Sequence, residues 1–198
     1  MILQQAFYKQ DTVGVAKQLL GCYLVHLEGE RTAIGRIVET EAYLEKDPAA
    51  HSYRGMTRRN SVMFGPVGHA YVYLIYGLHT CINAVSGREG AGEAVLIRAL
   101  EPLEGVAWMQ QRRGVEKIPL LCNGPGKLTE ALGISLACNG IPLYEGPIQI
   151  WGRDSLPIHR MAEMPPIVQT TRIGITKAAE RPLRFYLAGN RFVSRRER

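Results

Sequence analysis

"GRIVETEAYLEKDPAAHSYRG", residues 35–55, begins as a β-strand and ends as a polar loop. Side chains on a strand alternate between its two faces. If residues 33–43 are extended, Gly35, Ile37, Glu39, Glu41 and Tyr43 share one face, and Arg36, Val38, Thr40 and Ala42 share the other. One face then carries two carboxylates and a phenol, and His51 follows in the loop. Antiparallel sheets commonly keep one face wet, so the plain reading of Glu39 and Glu41 is a pair of solvent-facing charges.

The segments around this strand point elsewhere. In HAYVYLIYG (69–77), Tyr71, Tyr73 and Ile75 share a face, and Tyr76 points the other way or leaves at the turn. In AVLIRALEP (94–102), Ala94, Leu96 and Arg98 alternate together. The loop RGMTRRN places Arg54, Arg58 and Arg59 beside the glutamate strand. Taken singly, these are packing tyrosines, a core leucine, a snorkelling arginine and a solvated basic loop. Taken together they set a carboxylate and several rings in a basic surface. Nucleic-acid chemistry uses that combination: cations hold phosphates, rings stack an extruded base, and a carboxylate acts on it. A tyrosine on a hairpin tip can also wedge into a duplex.

The rest of the chain agrees with this reading. It has 198 residues, 46% of them hydrophobic, enough for one domain with its own core. Lys and Arg number 24 against 18 Asp and Glu, a net charge of +6 that favours an anionic partner. The four cysteines form no C-x-x-C pair and no zinc spacing, so they read as reduced structural residues. The N-terminus lacks a signal-peptide layout, and no apolar run is long enough to span a membrane. A soluble, cytoplasmic protein is expected.

DTVGVAKQLLG (11–21) reads as a helix capped by Asp11 and closed by Gly21. CYLVHLE and TAIGRIVETEAYL read as strands joined by a GER turn, and HAYVYLIYG with TCINAVS as a hairpin with its tip near 76–79. LEGVAWMQQRR and GPGKLTEALGI read as helices, the second with Pro125 early and Gly133 near its end. PIQIWG, TRIGIT and PLRFYLAG read as strands. The class is α+β, a single domain over 1–198 with a largely antiparallel sheet and a few flanking helices. GPGK (124–127) is not a P-loop, since no Ser or Thr follows Lys127; a helix start with a lysine can still hold a DNA phosphate. The terminal SRRER is a charge run of the kind usually found in loose termini.

VETEAY, AAHS, YVYLIYG, LIRALEPLEG and PLRFY, in this order, resemble the alkyladenine (3-methyladenine) DNA glycosylases, in their compact bacterial form. The resemblance runs from about residue 5 to residue 194. It implies a curved antiparallel sheet in a mixed domain, no metal and no cofactor, and a substrate of double-stranded DNA carrying damaged purines, bound by a monomer. It implies that Glu41 activates the water and that Arg98 and the main chain of Ile173 position it. Tyr43, His51 and Tyr73 would surround the flipped base, with Leu96 as apolar wall and Asn83 disfavouring the guanine amino group. Tyr76 would be the intercalating wedge, and Met63 would lie on the DNA-contacting surface. The loop from Tyr43 to His51 is slightly shorter than in the vertebrate pattern, and SGREGAGEA after Asn83 slightly longer. Both departures bear on the range of damage rather than on the chemistry.

Two other functions fit parts of the pattern. A metal-dependent hydrolase would use Glu39, Glu41, Asp47 and His51, although these have no recognised ligand spacing. A non-catalytic nucleic-acid-binding module would explain the charge and the rings but leave Glu41 without a purpose. A structural salt bridge is the expectation for Glu39.

Overall fold

The computed structural model describes residues 1–75, 77–156 and 163–194. Two helices, α1 (Gln5–Tyr8) and α2 (Thr12–Leu19), lead into β1 (Tyr23–Glu28) and the long β2 (Arg31–Tyr43). A loop then reaches the hairpin of β3 (Ala70–Ile75) and β4 (His79–Ser86), followed by β5 (Glu93–Glu104). Helices α3 (Val106–Arg113) and α4 (Pro125–Leu132) precede β6 (Ile148–Trp151), β7 (Ile167–Thr170) and β8 (Arg184–Leu187). The sheet order is β3-β4-β5-β2-β1-β6, with β8 paired to β2 and β7 to β8, and every described pairing between these strands is antiparallel. The chain therefore has the expected α+β class.

Local chemistry sets the element ends. Asp11 caps α2, its Oδ2 accepting from the Gly14 N–H at 2.8 Å. Gly133, at φ +73°, closes α4 in the left-handed conformation that glycine adopts without a Cβ penalty. One expected strand is absent: TRIGIT (171–176) is a loop, and the strand in that region is the preceding Ile167–Thr170. The apolar alternation of TRIGIT suits a strand, but Gly174 at φ +75° breaks the extension and the Ile173 N–H is committed to a side chain instead of a ladder.

Strand β2 is the hub. One edge pairs with β1 in its first half and with β8 in its second, while the other edge pairs with β5 from Ile34 to Tyr43. The β2–β5 ladder carries three irregularities, one between Ile34 and Gly35 and two compensating ones around Glu39. Val38 lies unmatched between the pairs Ile37↔Leu100 and Glu39↔Ala99; Arg98 lies unmatched between Glu39↔Ala99 and Thr40↔Ile97. Such bulges increase twist and re-aim side chains. Here the one at Val38 corrects a simple expectation. Ile37 and Val38 are sequence neighbours, yet both enter the main core. Gly35 and Ile37 thus do not share the face of Glu39, Glu41 and Tyr43, because the bulge reverses the alternation between them.

Beyond the bulge the two faces separate cleanly. Val38 and Ala42 join Val72, Ile82, Ala84, Val95, Ile97 and Ala99 in one apolar core. Helices α2 and α4 cover that side: the Thr40 hydroxyl donates to the Ala16 carbonyl at 2.9 Å and the Thr129 hydroxyl to the Thr80 carbonyl at 2.8 Å. The opposite face carries Glu39, Glu41, Tyr43, Tyr71, Tyr73, Leu96 and Arg98 and is roofed by loops. The plain reading of that face as wet fails, since Glu39 and Glu41 are both completely buried.

The close approach of β2 and β5 depends on Gly35, where a Cβ would stand 2.8 Å from the Leu100 Cβ. Gly35→Ala is expected to destabilise the fold by about 1–3 kcal/mol, the usual scale for overpacking. Urea denaturation measures it; unchanged stability would mean that the two strands lie farther apart.

Candidate active site

Glu41 is buried completely and its carboxylate is held by three donors. Oε1 accepts the Ile173 N–H at 2.9 Å and lies 3.2 Å from Arg98 Nη1; Oε2 accepts the Tyr43 hydroxyl at 2.9 Å. An ionised carboxylate offers about four acceptor positions, so one remains for a further hydrogen bond. Arg98 also reaches Glu39, its Nε 3.3 Å from Oε1. Burial opposes the charge on Arg98, but Glu41 and Glu39 outweigh it and hold the guanidinium above its ordinary pKa. Glu39 is bound from three further atoms. Arg184 Nε donates at 2.6 Å, and Ser194 gives its N–H at 2.7 Å and its hydroxyl at 2.9 Å. Glu39 thus ties β8 and the C-terminal segment to β2.

A pocket of about 270 Å³ opens beside the donors of this carboxylate, Tyr43, Arg98 and Ile173, all of which line it. Tyr71 and Tyr73 form one wall, their rings stacked at 5.3 Å, and His51 stands edge-on to Tyr73 at 4.4 Å. The His51 Nδ1 is 3.0 Å from the Tyr71 hydroxyl. Leu96 and Met63 supply apolar floor, and Asn83 presents an amide whose Nδ2 donates to the Tyr71 carbonyl at 3.0 Å. Burial, and then the neighbouring Glu41, push the Tyr43 phenol far above its ordinary pKa; burial pushes Tyr71 up to about 12. The phenols stay neutral, so Tyr43 can only donate to Glu41. The small size, just below the roughly 300–1,000 Å³ of small-molecule sites, and the aromatic walls suit one planar ring system.

The loop after β2 builds the outer wall. Asn60 holds it, donating from Nδ2 to the carbonyls of His51 at 2.9 Å and Gly55 at 3.1 Å. Arg59 donates to the Leu74 carbonyl at 2.9 Å and lies 5.8 Å from the Tyr73 ring centre.

Residues 6–191 match the family model described as Methylpurine-DNA glycosylase (MPG). The chain belongs to the methylpurine-DNA glycosylase family. A protein of Methanoculleus marisnigri is 64% identical over 198 residues, which cover 99% of this chain and all of that one. A protein of Carboxydothermus hydrogenoformans is 50% identical over 196 residues, 99% of this chain and all of that one. One of Rhodopseudomonas palustris is 52% identical over 192 residues, 97% of this chain and 90% of that one. Each carries the name "Putative 3-methyladenine DNA glycosylase". As a member of the methylpurine-DNA glycosylase family the chain is a DNA glycosylase, an enzyme of base excision repair whose substrate is DNA.

In this glycosylase, residues scattered from Glu41 to Ile173 meet at one place. Tyr43, His51, Tyr73, Asn83, Leu96, Arg98 and Ile173 all line the pocket. Met63 lines it too, but at 3% exposure it forms floor rather than outer DNA-contacting surface; its side chain packs with Tyr71, Val85 and Ala94. Arg54, Arg58 and Arg59 are exposed on the loop, as is Lys127 on α4, whose Nζ donates to the Asn123 side chain at 2.9 Å. Tyr76 and residues 195–198 lie outside the described residues. Among the described residues no three His, Cys, Asp or Glu side chains converge as metal ligands, and the carboxylates of the metal reading are bound by arginine. No helix among them is long and apolar enough to cross a membrane.

Sequence reading missed Arg172 and the part played by Asp47. They form a bidentate pair with both side chains fully buried. Burial alone would raise the Asp47 pKa, but the hydrogen bonds from Arg172 and the Ala49 N–H outweigh it and leave the carboxyl below its ordinary value. The only signal available beforehand was an arginine in the apolar run TRIGIT.

His51 should be neutral at physiological pH. Packing of its ring, and then the nearby Arg59 charge, hold its pKa below the ordinary 6.5. A depressed histidine binds fewer protons folded than unfolded, so its contribution to stability is present above 6.5 and is lost as pH falls through the folded value. An NMR titration of His51 is expected to show a midpoint below 6.5, moving upward in Arg59→Ala; a midpoint at or above 6.5 contradicts this.

Proposed function

We propose that this DNA glycosylase flips damaged purines out of duplex DNA and hydrolyses their N-glycosidic bond with water activated by Glu41. The observation that carries the proposal is the carboxylate itself. Glu41 is fully buried directly behind the pocket lining, fixed by three donors, Tyr43, Arg98 and Ile173, that all line the ring-walled pocket, and one of its acceptor positions is unfilled.

The chemistry follows from that placement. The flipped purine stacks between Tyr43 on one side and the adjoining rings of His51 and Tyr73 on the other. Water on Glu41 attacks C1′, the bond from C1′ to the purine nitrogen breaks with its electrons leaving on the base, and Glu41 takes the proton from water. Its negative charge also favours the oxocarbenium character that develops on the sugar, as carboxylates do in glycoside hydrolysis. Arg98 and the Ile173 N–H set the direction of the carboxylate and of the water beside it. Asn83 disfavours the guanine amino group at the pocket wall, and Leu96 gives the base an apolar edge.

The leaving group sets the range. Purines alkylated at N3 or N7, such as 3-methyladenine and 7-methylguanine, are cationic and depart readily. Hypoxanthine and ethenoadenine are neutral, so protonation assists their departure and their excision depends more steeply on pH. No lysine lines the pocket among the described residues, which supports hydrolysis without a Schiff base and without strand cleavage.

The exposed Arg54, Arg58, Arg59 and Lys127 are suited to phosphate contacts around the mouth, and Tyr76 is assigned the wedge that fills the vacated stack. Four free, buried cysteines suit the reducing cytoplasm where this DNA lies.

Duplexes each carrying one lesion test the proposal. Incubation should release the base from the 3-methyladenine, 7-methylguanine, hypoxanthine and ethenoadenine duplexes, with strand breaks only after alkali. Strand breaks without alkali, or no release from any of the four, would overturn it.

A further inference from the structure

The buried pair of Asp47 and Arg172 stands one step behind the catalytic carboxylate. Arg172 makes four connections. Nη1 pairs with Asp47 Oδ2 and donates to the Ala42 carbonyl at 3.1 Å. Nη2 donates to Asp47 Oδ1 at 3.1 Å and to the Ala178 carbonyl at 3.4 Å. Its guanidinium carbon lies 4.7 Å from the centre of the Tyr43 ring. Arg172 also immediately precedes Ile173 in the chain.

Two of the three donors on Glu41 are thereby set by one guanidinium. The Tyr43 hydroxyl reaches Oε2 from a ring that Arg172 covers, and the Ile173 N–H reaches Oε1 from the peptide next to Arg172. The Ala42 carbonyl fixes the end of β2 between Glu41 and Tyr43 to the same group. Asp47 anchors the guanidinium and is itself fixed by the Ala49 N–H at 3.0 Å. A planar fork that binds a carboxylate through two bonds while stacking on a ring is a task for arginine that lysine cannot reproduce.

We propose that Arg172, oriented by Asp47, is a positioning residue for hydrolysis, acting through Glu41 by fixing Tyr43 and the Ile173 N–H against its carboxylate. The proposal rests on the reading of Glu41 as the group that activates water. Its signature is non-additivity: once Glu41 no longer takes the proton, the aim of its donors ceases to matter.

The test is single-turnover excision of hypoxanthine from duplex DNA by the full chain, for Arg172→Lys, Glu41→Gln and the double variant, below the melting temperature of each. Arg172→Lys is expected to slow excision roughly a hundredfold, the scale for small displacements of reacting groups. The double variant should be no slower than Glu41→Gln. If Arg172→Lys does not fold, Asp47→Asn, which keeps the shape of the anchor and removes its charge, carries the same cycle. A double variant slower than Glu41→Gln by the full factor of the single change overturns the positioning role, as does a wild-type rate in Arg172→Lys. Wild-type excision by Glu41→Gln overturns the reading of Glu41 and the proposal with it, and is distinguishable from both.

Discussion

Arg98 lies between two fully buried carboxylates, 3.3 Å from Glu39 and 3.2 Å from Glu41, and the rest of the site follows from how that charge is balanced. Burying an ion costs several kcal/mol unless a partner and hydrogen bonds offset it. One guanidinium cannot neutralise two carboxylates, so Glu39 also takes Arg184 and Ser194. That leaves Arg98, the Ile173 N–H and the Tyr43 hydroxyl to hold Glu41. The buried charged side chains among the described residues are Glu39, Glu41, Asp47, Arg98, Arg172 and Arg184, three negative and three positive. The cluster is neutral (three minus three), so the formal net charge of +6 lies outside it, where a polyanionic substrate can meet it.

This balance also divides labour between residues that look alike. Glu39 and Glu41 sit two apart on one face, yet Glu39 is enclosed by donors from β5, β8 and the C-terminal segment, while the donors of Glu41, Tyr43, Arg98 and Ile173, all line the pocket. In the proposed mechanism, the structural role of Glu39 and the chemical role of Glu41 are separated by which donors arrive from elsewhere in the chain. The bulges at Val38 and Arg98 make the arrangement possible, since they turn the carboxylate face away from the core while Ile37 and Val38 both remain inside it.

Much of this was legible in sequence. Alternation along residues 39–43, 71–75 and 94–98 identified the residues of one sheet face, because a period of two survives wherever the ladder is regular. It misplaced Gly35 and Ile37, because a bulge leaves no mark in the apolar pattern. It placed a strand at TRIGIT, where the apolar residues serve the pocket wall and a backbone donor rather than a sheet. It left Arg172 unread, because that arginine finds its carboxylate 125 positions away, a pairing that only the fold creates. The family resemblance named Met63 as surface, whereas packing against Tyr71 and Ala94 draws it into the floor.

The central claim is that the buried carboxylate of Glu41 acts on water and not in holding the lesion. Comparing Glu41→Gln with the unaltered protein, for both binding of a lesion duplex and single-turnover excision, tests it most directly. The account predicts retained binding and excision slowed at least about a hundredfold, the scale for losing a general base. Excision near the unaltered rate, or binding lost in step with excision, would contradict it.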